Sequence, residues 1–251
     1  MAIFLGFFAY CHTVLHIKPT MHFAHSGLHD ASKPANSLSA IVAAADAGYG
    51  VEIDIQVSRD GVPFIIHEDN TLSDTGVDVH IPTSHSEEIK SLTFKNTSEP
   101  LATLSQVFAT ISPKTPVLLD VKQSRFVRHT VQAVCKLAED RTDSAAIQSF
   151  QPTAVWRAKH LLPKMAVGQL GEESNHTMGL VETFQTDTLI TNYVTRPDFI
   201  GMYLPMLRRR ITTYWRKKLD CPFLGWTVVD EEDMQLCLEL GVSMIFEKVR
   251  P

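Results

Sequence analysis

The sequence has few cysteines, and their spacing is not typical of a zinc site. The four cysteines are Cys11, Cys135, Cys221 and Cys237, and no two of them form a Cys-x-x-Cys pair. Structural zinc is usually held by such pairs, and a disulfide scaffold needs a much higher cysteine density. We therefore expect no thiolate-bound metal, a reducing compartment and a cytoplasmic protein.

The sequence also lacks an excess of basic residues. It has 23 Lys and Arg against 28 Asp and Glu, which gives a formal net charge of −5. A general nucleic-acid binder needs a basic surface to displace counterions from phosphate groups, so nucleic acid is not an expected partner. The apolar stretch 1–10 is too short to cross a bilayer and has no preceding Lys or Arg. We expect it to pack on the folded domain without stable membrane insertion.

The chain contains a repeated alternation of short apolar runs and longer amphipathic stretches, typical of βα units around a buried parallel sheet. The expected strands are 22–25, 50–55, 116–121, 145–149, 165–169, 198–203, 222–228 and 243–246. The expected helices are 35–47, 103–111, 126–139, 152–162, 204–218 and 231–240. Eight such units in 251 residues predict an α/β fold, a (β/α)8 TIM barrel forming one domain over residues 1–251.

Two stretches depart from the alternation. The apolar run 62–66 follows an Asp60-Gly61 step, which favours a tight turn, so we expect a hairpin that extends the second strand. Residues 68–101 then form a small insertion between this strand and its helix, expected to cover the active face as a lid or substrate wall. Residues 171–196 follow no single period.

Three carboxylates are expected to converge inside this barrel. Glu52 and Asp54 are two residues apart on one strand and so point to the same side, and Asp120 ends the neighbouring strand. Buried carboxylates need a basic partner or a metal. Three of them suit Mg²⁺ or Ca²⁺, with Mn²⁺ as a further candidate. The alternative is that Glu52 and Asp54 form structural ion pairs with Lys122 or distant arginines.

Two histidines lie where barrel active sites are built. His25 and His67 each end a predicted strand, and the carboxyl ends of strands form the active face. Lys122 is two residues beyond Asp120 and should point to the same side, where it can supply positive charge to a phosphate. A metal, a lysine and two histidines suit phosphoryl chemistry, in which one histidine takes a proton and the other gives one. The remaining nine histidines lack convergent carboxylates, although His22 and His29 are near His25 in sequence.

The order of several motifs resembles the glycerophosphodiester phosphodiesterase family over almost the whole chain after Met21. The first four motifs are the specific ones. They read His25-Ser26-Gly27, Pro34-Ala35-Asn36-Ser37, Glu52-Ile53-Asp54 and Asp60-Gly61-Val62-Pro63-Phe64-Ile65-Ile66-His67. The later ones are Leu118-Leu119-Asp120-Val121-Lys122, Gln148-Ser149-Phe150, Gly225-Trp226-Thr227-Val228 and Ile245-Phe246-Glu247.

The resemblance implies a barrel with a divalent metal on Glu52, Asp54 and Asp120, and His25 and His67 as catalytic acid and base. It implies cleavage of a small-molecule phosphodiester to an alcohol and a phosphomonoester, with a substrate hydroxyl as one candidate nucleophile. Trp226 is expected either to line the pocket beside a sugar or polyol or to be a core residue.

Three positions depart from the family pattern. Ser26 replaces an Arg that would clamp the phosphate and offers a single donor in its place, Ala35 replaces a Glu, and Asp120 replaces a Glu ligand while keeping its charge. We expect metal binding to survive and the pocket to be roomier, which suits a bulkier sugar phosphodiester of the kind handled by agrocinopine-type members.

Two other functions stay open at this point. A sugar hydroxyl could replace water, so that a phosphodiester is formed by transfer. Alternatively, a catalytically inactive barrel could bind a phosphorylated ligand, a view motivated by the missing Arg and opposed by the presence of both histidines and all three carboxylates. The oligomeric state is also left open.

Overall fold

A computed structural model describes residues 21–172, 189–218 and 221–251. Nine strands form one sheet in the order β1-β9-β8-β7-β6-β5-β4-β2-β3, and pairing of β1 with β2 closes it. Eight strands are parallel and β3 is antiparallel to β2, so the expected (β/α)8 barrel is confirmed. The strands are β1 His22–Ala24, β2 Gly50–Val57, β3 Pro63–Ile65, β4 Val117–Val121, β5 Ala145–Ser149, β6 Ala166–Gly171, β7 Phe199–Tyr203, β8 Phe223–Val228 and β9 Ser243–Phe246.

In the described residues, helices follow most of the strands, and two short ones belong to the insertion 68–101. They are α1 Leu38–Asp46, α2 Leu72–Thr75, α3 Ser86–Lys90, α4 Leu104–Thr110, α5 Val127–Ala138, α6 Pro152–Leu161, α7 Asn192–Thr195, α8 Arg210–Lys218 and α9 Glu231–Leu240, with short 3-10 turns at Ile81–Thr83, Glu139–Arg141 and Leu204–Met206. The expected packing of residues 1–10 on the domain, and most of the stretch 171–196, lie outside the described residues.

Successive side chains along each strand point alternately to the core beneath the helices and to the barrel interior. On β2, Ile53 and Ile55 belong to the core beneath the helices, so Glu52 and Asp54 point inward. The inner core is a plug of seven buried residues toward the amino-terminal ends of the strands, namely Phe23, Leu118, Ala146, Ala166, Phe199, Leu224 and Ile245. The barrel is therefore filled at one end, which leaves the carboxyl-terminal end for polar side chains.

Large rings in this plug require small neighbours. A Cβ at Gly168 would lie 2.1 Å from the Phe199 ring, and one at Gly50 would lie 2.7 Å from the Phe23 ring. Such approaches are far inside van der Waals contact, so these two glycines permit the inner layer to close.

The expected hairpin between β2 and β3 is confirmed. Val57 pairs with Pro63, and Gly61 takes a left-handed φ of 85° in the turn. The Asp60 carboxylate accepts bonds from the backbone N–H and hydroxyl of Ser86, at 2.8 and 2.7 Å, which ties the turn to the insertion. Residues 68–101 also share a small hydrophobic cluster with the hairpin, containing Phe64, Ile66, Val79, Ile81, Ile89, Phe94 and Leu101.

Two expected helix boundaries were wrong. Helix α1 begins at Leu38 and not at residue 35, because Asn36 has a left-handed φ of 63° and Ser37 caps the helix by accepting from the Ala40 N–H. The expected helix 204–218 is a 3-10 turn followed by α8. Leu204, Met206 and Leu207 are all buried, so this turn is anchored in the core before α8 begins.

Candidate metal centre and active site

The three acidic side chains meet at the carboxyl-terminal end of neighbouring strands. Asp54 on β2 is directly paired in register with Asp120 on β4, and Glu52 lies one inward position below Asp54. Their carboxylate oxygens lie within 4.8 Å of one another, and each residue is at most 4% exposed. The predicted convergence of Glu52, Asp54 and Asp120 is therefore present in the structure.

Only part of this negative charge has a basic partner. The Lys122 ammonium lies 2.5 Å from Asp54 Oδ1 and 2.6 Å from Asp120 Oδ2. Ion pairing with Lys122, the alternative interpretation of the sequence, accounts for Asp54 and Asp120 but not for Glu52. Three buried carboxylates against one ammonium leave two uncompensated formal charges, more than a barrel interior tolerates without protonation or a cation.

The pKa values of the carboxyls differ according to their partners. Burial, together with the charges of Asp54 and Asp120, raises the pKa of Glu52 well above its usual range. Burial also raises the pKa of Asp120 to about 6, although Lys122 opposes the shift. For Asp54 burial is outweighed by Lys122 and by the Asn36 amide, and its pKa is lowered. Without a cation, burial therefore shifts Glu52 and Asp120 toward their protonated forms.

The donor set fits a hard divalent cation. The ligand atoms are all carboxylate oxygens, the type that Mg²⁺, Ca²⁺ and Mn²⁺ prefer. Asp120 Oδ1 is buried and has no hydrogen-bond partner among the described residues. An unpaired buried oxygen next to two uncompensated charges is accounted for by a cation, so these residues fit the expected metal.

Asn36 and Ser26 hold the carboxylates in place. The Asn36 amide nitrogen donates to Asp54 Oδ2 at 2.7 Å, and its Oδ1 accepts from the Asp54 N–H at 3.1 Å. Ser26 donates its backbone N–H to Glu52 and its hydroxyl to Asp54, both at 3.1 Å. Ser26 is only 3% exposed, so in this arrangement its hydroxyl serves a carboxylate. Asn36 belongs to one of the motifs of the sequence, but the motif did not predict this role.

The two histidines lie at different depths of the same cavity. His25 follows β1, and its Nδ1 lies 3.3 Å from Glu247 Oε2. His67 follows β3, its side chain is 59% exposed, and its Nδ1 lies 2.8 Å from Glu68. Burial lowers the pKa of His25, with Asp54 and Glu247 acting in the opposite direction. His25 is thus biased toward the neutral form.

A cavity of about 110 Å³ joins the carboxylates, Lys122 and both histidines. Its wall also includes Gln148, Phe150, Leu170, Trp226, Thr227 and Ile245. The Trp226 ring meets the rings of Phe150 at 5.6 Å and Tyr203 at 5.5 Å, so the expected pocket-lining position of Trp226 is present. No residue of the insertion 68–101 belongs to this wall, and its role as a lid or substrate wall stays a prediction.

Two polar residues of the site, Gln148 and Glu247, belong to motifs of the sequence but had no predicted role. Gln148 is paired in register with Asp120, and its buried Oε1 has no partner among the described residues. Its inward position could have been read from alternation on β5. Glu247 bonds to His25 across 222 residues, and no local pattern in the sequence signals that contact.

Comparison with known proteins gives the same fold. A phosphodiesterase from Oleispira antarctica, solved in complex with the product sn-glycerol-3-phosphate, superposes with a TM-score of 0.75 at 20% identity, covering 91% of this chain and 92% of that one. A glycerophosphodiester phosphodiesterase from Parabacteroides distasonis gives 0.72 at 20% identity, covering 92% and 93%. The enzyme of the same description from Thermotoga maritima gives 0.69 at 19% identity, covering 94% of each chain.

Sequence comparison defines the class and then the family. A glycerophosphodiester phosphodiesterase from Caldanaerobacter subterraneus is 25% identical over 237 residues, covering 90% of this chain and 93% of that protein. The model of the glycerophosphoryl diester phosphodiesterase family matches residues 25–247. With the barrel and its site, this match assigns the molecule to the phosphoric diester hydrolases, and the chain belongs to that family.

Within the described residues, none of the helices combines the length and apolar character needed to cross a bilayer.

Proposed function

We propose that the chain hydrolyses a phosphodiester to an alcohol and a phosphomonoester in a reaction that depends on a divalent metal. The observation that carries the proposal is the placement of three buried carboxylates and two histidines on one cavity at the carboxyl-terminal end of the barrel. The phosphate-bearing product in the Oleispira antarctica relative supports a phosphate ester as the ligand.

Glu52, Asp54 and Asp120 would hold the metal, which when bound supplies positive charge to non-bridging phosphate oxygens. Lys122 borders the cavity with a side chain that is 15% exposed, and its ammonium adds a second positive charge there. Asn36 and Ser26 keep the Asp54 carboxylate oriented. Lys122 and the three carboxylates that would hold the metal bind and orient the phosphate, and Asn36 and Ser26 act on it only through those carboxylates.

The histidines move the protons. Because an ionised carboxylate can only accept, the His25 proton lies on Nδ1 facing Glu247, and Nε2 is left with the lone pair for a base. His25 removes the proton of the attacking hydroxyl, which belongs to water or to the substrate itself, the new bond from its oxygen to phosphorus forms, and the bond to the leaving alcohol breaks. Attack by water gives the phosphomonoester directly, whereas attack by a substrate hydroxyl gives a cyclic phosphate that water then opens to the phosphomonoester. His67, at the exposed rim, gives its proton to the departing oxygen.

For the substrate we propose a polyol or sugar phosphodiester. Trp226 offers an aromatic face within the cavity wall, and aromatic faces pack against the carbon skeleton of polyols. Ser26 bonds to carboxylates and Ala35 is exposed, so neither position provides the charged clamp of the family pattern. This supports a bulkier diester of the agrocinopine type over a glycerol one.

The test is phosphorus NMR of the purified protein with Mg²⁺, Ca²⁺ or Mn²⁺ and diesters ranging from glycerophosphocholine to sugar-phosphate-sugar compounds. We expect parent protein to form a phosphomonoester product. H25Q and H67Q should lose turnover but still bind the diester. H160Q, a histidine on the outer surface of α6, is the matched control. A diester product from an added sugar alcohol would instead identify a transferase, and binding without turnover would identify an inactive receptor.

A further inference from the structure

A second cluster of metal-ligand atoms lies behind His25. His25 Nδ1 is 3.3 Å from Glu247 Oε2, His29 Nε2 is 3.9 Å from Glu247 Oε1, and the three residues offer ligand atoms that all lie within 4.8 Å of one another. Two imidazoles and a carboxylate form a donor set of different chemistry from the all-oxygen cluster of Glu52, Asp54 and Asp120.

The backbone holds this cluster in place. Glu247 immediately follows β9, and His25 follows the adjacent strand β1, where the His25 N–H donates to the Phe246 carbonyl at 2.8 Å. The chain then turns at Gly27, with a φ of 83°, and the Leu28 N–H donates to the Ala40 carbonyl at 2.9 Å. His29 is thus returned toward Glu247 by a fixed turn.

The charges and the exposure also suit a cation. Within the described residues, the ion-pair partners of the Glu247 carboxylate are only these two histidines, which carry charge only when protonated. The side chains of His25, His29 and Glu247 are 31%, 27% and 25% exposed, so water can reach the cluster and fill a further coordination position.

We propose that His25, His29 and Glu247 form a second metal site, selective for borderline transition metals such as Zn²⁺, whose occupation inhibits the enzyme. Tetrahedral Zn²⁺ binds imidazole nitrogen and carboxylate oxygen at about 2.0–2.2 Å, which places ligand atoms roughly 3.4 Å apart. The 3.3 and 3.9 Å separations need only small side-chain movements to meet this. Mg²⁺ and Ca²⁺ prefer oxygen ligands and remain at the carboxylate cluster.

Inhibition follows from the chemistry of His25, and this part rests on the proposed function. A neutral imidazole carries one proton. When Zn²⁺ takes the Nδ1 lone pair, the proton that Nδ1 donated to Glu247 leaves to water and the ring takes one from water on Nε2, so no net proton is released. The Nε2 lone pair is then occupied, and His25 can no longer accept the proton of the attacking hydroxyl.

Zinc binding by the full-length protein tests the site independently of turnover. Titration calorimetry with Zn²⁺ in excess Mg²⁺ should show one tight equivalent for parent protein. Removing a residue that only supports a metal ligand lowers metal affinity by about 10- to 100-fold. Because H29Q and E247Q each remove a ligand itself, each should lower the Zn²⁺ affinity by at least ~100-fold. H160Q and E52Q should bind Zn²⁺ as parent does, with circular dichroism melts reporting that each variant is folded.

Three calorimetric outcomes would overturn the site. They are the absence of saturable Zn²⁺ binding by parent, equal affinity in parent and H29Q, and loss of binding in E52Q with retention in H29Q, which would place zinc at the carboxylates.

The inhibition is tested on phosphodiester turnover, normalised to each variant's Mg²⁺-supported rate. Zn²⁺ should inhibit parent and H160Q at the same concentration. H29Q should need a Zn²⁺ concentration at least ~100-fold higher for the same inhibition. Equal inhibition of parent and H29Q contradicts the inhibitory role. Absent turnover in parent contradicts the proposed function but leaves the calorimetric result intact.

Discussion

The floor and the rim of the cavity are built in different ways. The floor, meaning Glu52, Asp54 and Asp120, lies on strands inside the barrel and is at most 4% exposed. The rim, meaning His25 and His67, follows strand ends, and its side chains are 31% and 59% exposed. Buried carboxylates with incomplete charge compensation suit cation binding, whereas water-accessible imidazoles can exchange protons. The two functions should therefore be separable by substitutions in the floor or in the rim.

The largest effect is expected at the floor. E52Q should lower turnover by at least ~10³-fold, because a metal supplies several kcal/mol of transition-state stabilisation. In metal-free buffer the same change should leave the melting temperature equal or higher, because Glu52 has no basic partner within ion-pair distance among the described residues and burial disfavours its charge. Thermal melts and phosphorus NMR measure the two effects, and E139Q on the outer surface is the control. A destabilised, active E52Q contradicts this view of the floor.

At the rim, turnover should fall while metal binding is retained. H25Q and H67Q should each lower kcat by about 10²-fold or more, the usual contribution of a general acid or base. Calorimetric affinity for Mg²⁺ or Ca²⁺ should stay at the parent value, because neither ring belongs to the carboxylate cluster. If either variant lost metal affinity together with kcat, the separation of floor and rim would be incorrect.

The floor should also make stability depend on pH. The pKa of Asp120 in the folded protein is raised to about 6, so folding favours its protonated form. The resulting contribution to the free energy of unfolding is fully present below the unfolded pKa of about 3.9 and is lost as the pH rises through 6. Metal-free protein should therefore lose on the order of 3 kcal/mol of unfolding free energy between about pH 4 and pH 6. Urea unfolding measures this loss. Saturating Mg²⁺ or Ca²⁺ should oppose it, and stability that rises over the window without metal contradicts the shift.

Within the rim, the two carboxylates that contact the histidines should differ. Glu247 is 25% exposed and contacts the less exposed histidine, whereas Glu68 is 61% exposed next to a freely solvated one. E247Q should lower kcat by roughly 10-fold and move the acidic limb of the pH–rate profile, because it changes the orientation and proton affinity of His25. E68Q should change kcat by less than about 2-fold, as expected of an exposed pair. Equal effects would show that Glu247 has no positioning role.

The smallest expected effect concerns substrate choice. The double variant S26R/A35E restores the family residues at two positions and should raise activity on glycerophosphodiesters a few-fold relative to sugar diesters, because Arg adds a phosphate clamp. Competition between the two diesters, followed by phosphorus NMR, gives the ratio directly. An unchanged ratio removes Ser26 and Ala35 from the explanation of specificity.

Features that depend on local pattern could be predicted from the sequence. Alternation on β2 placed Glu52 and Asp54 on one face, and the Asp60-Gly61 step placed the hairpin that carries His67. The convergence of Asp120 followed from parallel neighbouring strands. These inferences need only strand periodicity and barrel topology.

The features that the sequence did not reveal depend on contacts between distant segments. Glu247 meets His25 only because the barrel closes β9 against β1. The start of α1 was misplaced because the Asn36 side chain bonds to Asp54, and this contact accompanies a left-handed backbone just before the helix. Helical propensity gives no information about such a partner.

The most direct test is the rate of diester cleavage by EDTA-treated protein as Mg²⁺, Ca²⁺ or Mn²⁺ is restored, followed by phosphorus NMR. Cleavage that is absent with EDTA and rises to saturation with added metal in parent, but not in E52Q, is the predicted result. Cleavage that persists in EDTA, or that E52Q supports as well as parent does, would contradict a metal-dependent site on Glu52, Asp54 and Asp120.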